Sequence, residues 1–152
     1  MPLCRDLKEL LPDVQERVYS AIKELNSKDI AFVVLETYRD QMVQDAYYAQ
    51  GREPLDVVNA LRLKAEIQPL TEEENRQIIT KARYSYHTKR RAIDIVPALS
   101  NGNIPWSVRD ASTAALWLSL AEVMKANGFE WGGDWDPKNE WGIGWDSSHY
   151  QV

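Results

Sequence analysis

The stretch RAIDIVPAL, residues 91–99, sets the strongest constraint on the fold. It is short, apolar and rich in β-branched residues, and it reads as a strand closed near Pro97. Strand alternation puts Ala92, Asp94 and Val96 on one face and Ile93 and Ile95 on the other. A carboxylate in such a run costs free energy to bury unless it is paired or bound to a cation. The chain must therefore fold so that neighbouring strands or loops bring Asp94 a partner.

The remaining segments supply helices and a few further strands. LPDVQERVYSAIKEL spaces Val14, Val18, Ile22 and Leu25 for one helix face, with Pro12 in the first turn. DIAFVVLETYR reads as a strand. DQMVQDAYYAQGR reads as a helix stopping at Gly51, and PLDVVNALRLKAEI as another. TEEENRQIITKA carries Thr71 and Glu74 at the spacing of a capping box. ASTAALWLSLAEVMKAN aligns Leu116, Leu120 and Val123, with Gly128 just past its end. FEW and SHYQV are short strand candidates. The pattern predicts an α+β fold, a small antiparallel or mixed sheet packed against helices.

Composition narrows the class. A chain of 152 residues makes one domain of ordinary size and needs neither disulfide nor metal merely to fold. One cysteine, Cys4, rules out an intrachain disulfide and fits a reducing cytoplasm. The N-terminal residues turn charged too early for a signal peptide, and no apolar stretch approaches a membrane span. A net charge of −5 argues against general nucleic-acid binding. Lys81, Arg83, Lys89, Arg90 and Arg91 nevertheless cluster around His87, as a solvated surface or as a cationic rim for an anionic ligand. The six tryptophans all lie from Trp106 onward, suited to core packing and tight turns or to a stacking platform beside a groove.

The chain has two histidines, His87 and His149. Asp94 follows the first by seven residues, and Asp146 precedes the second by three. Two histidines and one carboxylate meet the ligand count of a catalytic zinc, which keeps a further position for water. A second carboxylate, off the metal, can then take the water's proton. On spacing alone, a surface histidine, a satisfied histidine and a paired core carboxylate remain the alternative.

The motifs go further. SYHTKRRAID resembles the SxHxxGxAxD segment of the zinc D,D- and L,D-peptidases that cut bacterial cell-wall peptides, with Ser85, His87, Ala92 and Asp94 in register. WDSSHYQ resembles that family's second segment, an acidic residue three places before a histidine followed by an aromatic. ETYRDQMVQDAYYAQGR is similar to its GYRS…Q…LYAQGR stretch through Tyr38, Arg39, Tyr48, Gln50, Gly51 and Arg52. GFEWGGDW resembles the turn after the family's long helix. The four segments occur in the family's order across residues 38–151, and the YAQGR and WGGDW words are most similar to the L-alanyl-D-glutamate peptidases of phage endolysins and their bacterial relatives.

The resemblance implies the zinc D,D-peptidase fold, with Zn2+ held by His87, Asp94 and His149. It implies Asp146 as general base, and Arg39 holding the substrate carbonyl or the developing oxyanion. Ser85 would orient the substrate or the metal loop. It implies bacterial peptidoglycan as substrate, and the chain is expected to be a monomer with one catalytic domain over residues 1–152 and no separate cell-wall binding module. It further implies synthesis in a host cytoplasm without a signal peptide and release through a holin-type pore. A D-Ala-D-Ala carboxypeptidase or dipeptidase with the same metal site is the nearest rival, and a non-catalytic cell-wall binding protein the rival of another class. Two departures stand out: Arg90 replaces the family's glycine, and residues 136–145 lengthen the stretch before Asp146.

Overall fold

In the computed structural model, which describes residues 3–152, four helices accompany a four-stranded sheet. The helices are α1 (Pro12–Ser27), α2 (Gln41–Ala49), α3 (Leu55–Lys64) and α4 (Ala111–Ala126). The strands are β1 (Phe32–Glu36), β2 (Ala92–Pro97), β3 (Glu130–Trp131) and β4 (His149–Gln151). They lie in the order β1-β2-β4-β3, and every pairing is antiparallel.

The core forms where α1 and α4 meet the sheet. Helix α1 contributes Val14, Val18, Ala21 and Leu25, and Pro12 opens it where a missing N–H costs nothing. Helix α4 turns Trp117, Leu120, Ala121 and Met124 inward, and Asp110 caps it by accepting from the Thr113 N–H. Leu116 is only half-buried, so Trp117 takes the centre of the inward face. Ile93, Ile95, Tyr150 and Trp131 answer from the sheet, and the Trp131 and Tyr150 rings stack 6.3 Å apart. Ile93 and Ile95 thereby fill the face of β2 that meets the helices, which leaves Asp94 on the other, between buried Ala92 and Val96.

The TEEENRQIITKA stretch departs from a full helix. Its capping box forms, with the Thr71 N–H donating to Glu74 at 2.9 Å and the Glu74 N–H to Thr71 Oγ1 at 3.2 Å. The turn it caps spans only Glu74–Arg76. Buried Asn75 ties the segment to the α2–α3 connection, accepting from the Gly51 N–H at 3.1 Å and donating to the Glu53 carbonyl at 2.9 Å. The β-branched run Ile78-Ile79-Thr80 then disfavours helix. Among the described residues, no helix is long and apolar enough to cross a membrane.

Candidate active site

One rung across the sheet builds the site. Glu36 of β1 pairs with Asp94 of β2, which pairs with His149 of β4. An irregularity in β1 between Val34 and Glu36 shifts the register so that Glu36 joins this rung. His87 arrives on the turns ahead of β2. Those turns are held by the Thr88 N–H to the Ser85 carbonyl at 3.0 Å and the Arg91 N–H to the Tyr86 carbonyl at 3.0 Å. The His87 ring is 1% exposed and sits edge-on to the His149 ring, centroids 5.0 Å apart.

The outer nitrogen of each ring is committed. His87 Nδ1 donates to the Thr37 carbonyl at 2.7 Å. His149 Nε2 donates to Gln151 Oε1 at 2.8 Å, and the Gln151 amide is oriented by its own donation to Glu130 at 3.0 Å. Each inner nitrogen therefore presents a lone pair. His87 Nε2 lies 3.0 Å and His149 Nδ1 3.3 Å from Asp94 Oδ1. Three acceptors thus converge, all within 4.8 Å of one another. Only a proton or a metal cation between them relieves that arrangement, and the two-nitrogen, one-oxygen donor set fits a zinc-type ion.

The electrostatics agree. Burial works to raise the Asp94 carboxyl, but its hydrogen bonds with His149 and His87 outweigh it and hold Asp94 well below the usual carboxylate range. Burial works to lower His149, and the bond to Asp94 outweighs it, so this ring keeps a proton above the ordinary histidine range.

Asp146 stands beside the triad through a tight turn in which the His149 N–H donates to the Asp146 carbonyl at 3.1 Å. Buried Trp131 pins that turn, its indole N–H donating to the Ser147 carbonyl at 2.7 Å. Gly132 packs directly on the Asp146 backbone, and a Cβ there would collide with the Asp146 carbonyl oxygen. Burial pushes the Asp146 carboxyl upward, and the Asp94 charge adds to the rise. Its carboxylate enters no ion pair among the described residues.

Arg39 faces the same cavity of about 690 Å³, together with Ser85, Trp135 and Trp145. The guanidinium bonds Glu36 through both Nε and Nη2, and Nη1 donates to Gln44 Oε1 at 2.7 Å. Three of its five N–H donors are thereby used, and two remain. Gln44 is fully buried and also donates to the Ala82 carbonyl at 2.6 Å, linking α2 to the cleft wall. The Ser85 hydroxyl accepts from the His87 N–H at 3.2 Å, so its contact is with the turn that carries His87. Glu36, Gln44 and Gln151 are the site residues that sequence reasoning did not single out. Only Gln151 carried a readable signal, two residues beyond His149 on the same strand face.

The basic cluster around His87 disperses. Arg91 pairs with Asp13, and Arg90 pairs with Glu9 and lies 4.0 Å over the Tyr38 ring. Arg90 keeps the left-handed backbone that a glycine would favour, at φ 62. Lys81 alone of the five lines the cavity.

Known proteins resemble this chain along most of its length. A family model described as D-alanyl-D-alanine carboxypeptidase matches residues 79–152. The peptidoglycan L-alanyl-D-glutamate endopeptidase CwlK of Bacillus subtilis (strain 168) is 31% identical over 140 residues, covering 89% of this chain and 70% of its own. In fold, the chain is similar to the Serratia marcescens L-Ala D-Glu endopeptidase ChiX, at TM-score 0.56 and 18% identity, covering 96% of this chain and 82% of that one. It is also similar to the LdcB LD-carboxypeptidase, at TM-score 0.55 and 13% identity, covering 94% of this chain and 58% of that one. The identity to CwlK along nearly the whole chain and the match over the segment that carries His87, Asp94, Asp146 and His149 make this protein a member of the D-alanyl-D-alanine carboxypeptidase family of metallopeptidases.

Proposed function

We propose that the protein is a zinc-dependent endopeptidase that hydrolyses the L-Ala–D-Glu bond of bacterial peptidoglycan stem peptides. The observation that carries the reading is the convergence of three acceptors, His87 Nε2, Asp94 Oδ1 and His149 Nδ1, beside a carboxyl held above its usual range. These three atoms would hold the ion. When bound, the metal supplies Lewis-acid chemistry at the scissile carbonyl and the attacking water. Asp146 takes the proton from that water and returns it to the leaving amine, a role helped by its raised pKa. Arg39 turns its two free donors to the carbonyl oxygen as charge develops there. Ser85 orients the His87 turn. The endolysin branch belongs to the same proposal, supported by the YAQGR and WGGDW words. The proposal includes one catalytic domain over residues 1–152, acting as a bacteriolytic monomer after holin-type release from the host cytoplasm.

The test is mass spectrometry of purified peptidoglycan incubated with zinc-loaded protein, with and without chelator. Chelator-sensitive products with new N-terminal glutamate are expected. Free D-Ala or D-Ala-D-Ala would assign the site to the carboxypeptidase reaction instead. Asp146→Asn should retain zinc and lose turnover by about 10²- to 10⁴-fold. Full activity in that variant would remove Asp146 from the base role.

A further inference from the structure

The strongest unassigned feature in the cleft is a lysine. Lys81 stands at a bend on the irregular segment after the Glu74–Arg76 turn, and its ammonium lies 5.2 Å over the Trp145 ring. Trp145 directly precedes Asp146, so the cation is held on the wall that carries that carboxylate. Lys81 makes no ion pair among the described residues. The other cleft cation, Arg39, is matched by Glu36. Among the described residues, the cavity therefore has one positive charge outside any ion pair, resting on an aromatic face.

The substrate chemistry needs such a charge. In the stem peptide the chain continues through the γ-carboxyl of D-Glu. The α-carboxylate stays free on the carbon that bears the scissile nitrogen. Cleaving that bond brings a carboxylate close to Asp94 and Asp146, and like charges in a partly buried cleft repel strongly. A lysine on a flexible stem, resting on an indole, can swing to meet it.

We infer that Lys81 is a specificity-determining residue that binds the free α-carboxylate of the D-glutamyl residue and selects against its amide, D-isoglutamine. This rests on the endopeptidase reading above.

The test uses soluble L-Ala-γ-D-Glu-L-Lys and two relatives, one amidated at the D-Glu α-carboxyl and one at the lysine carboxyl. Zinc-loaded wild type should favour the free α-carboxylate over its amide by about tenfold or more in kcat/KM. Amidation of the lysine carboxyl should matter little. Lys81→Gln should bring the first ratio close to one, and Lys81→Arg should restore part of it. Metal-free protein, which cuts nothing, should show the same preference in calorimetric affinity and lose it in Lys81→Gln. A wild-type ratio retained by Lys81→Gln, or a preference carried by the lysine carboxyl, overturns the assignment while leaving the endopeptidase reading intact. Failure of wild type to cut the Ala–Glu bond in any of the three peptides overturns both.

Discussion

The two histidines face one carboxylate but are held in different ways. His87 is locked from behind by a backbone carbonyl, that of Thr37, and is 1% exposed. His149 is held by a side chain, Gln151, which is itself steered by Glu130, and is 8% exposed. One ring is fixed by the fold and the other by a chain of replaceable groups. The proposed metal site would keep its position through His87 and leave its affinity open to adjustment through His149.

The largest effects should come from deleting the rings. His87→Ala and His149→Ala should each abolish stoichiometric zinc. They should differ in stability: His87→Ala should cost the metal-free fold about 2–4 kcal/mol, since it leaves a cavity and an unsatisfied Thr37 carbonyl. His149→Ala should cost about half that, because its site borders the cleft. Zinc content and urea unfolding of both variants check this, and equal stability losses would break the comparison.

The supports come next. Gln151→Leu should lower zinc affinity by about 10- to 100-fold while changing the unfolding midpoint little. Thr37→Val should do the reverse. It keeps the carbonyl that holds His87 but loses the hydroxyl that donates to the Asp6 carbonyl at 2.8 Å. Its stability should fall by about 1 kcal/mol with zinc affinity unchanged. Chelator competition on both variants separates the outcomes.

A smaller effect concerns pH, and its sign differs between the two forms. His149 has a raised pKa in the folded metal-free chain, so its stabilising contribution is complete below the unfolded value of about 6.5 and fades as pH rises through the folded value. The same proton competes with metal, so zinc affinity should rise with pH over that window, by up to about tenfold per pH unit. Asp94, held well below the usual range, stays charged throughout and contributes to neither slope. Parallel slopes in metal-free stability and zinc affinity would contradict the assignment.

The smallest change tests the sheet beneath the site. The Tyr150 hydroxyl is buried without a hydrogen-bond partner among the described residues, and burial pushes its pKa far up. Tyr150→Phe should therefore be neutral or stabilising by about 1 kcal/mol in thermal unfolding.

Much of this was legible from residue order because the informative patterns are local. Period-two alternation in AIDIVP separates Asp94 from the isoleucines, and the Asp146–His149 spacing is that of one turn. Glu36 was not legible. In LETYR it looks like a charge at a strand end, and only an irregular register sets it in the rung with Asp94. The short turn after Thr71 was hidden for a similar reason: Asn75 bonds to residues more than 20 positions away, which no local pattern records. Arg90 raised a choice between an altered loop and a cation at the rim. The backbone keeps the glycine-like angle while the side chain turns away to Glu9 and Tyr38.

The rung itself has a consequence for handling the protein. Its members come from positions 36, 94 and 149, and the pocket's other histidine from position 87. No single fragment or local hairpin contains the full donor set, so the proposed ion would be captured only once distant strands have aligned. Under the proposed function, tightly retained metal per mole of polypeptide would count native molecules in a preparation, and the bound ion would serve as the assay of refolding yield.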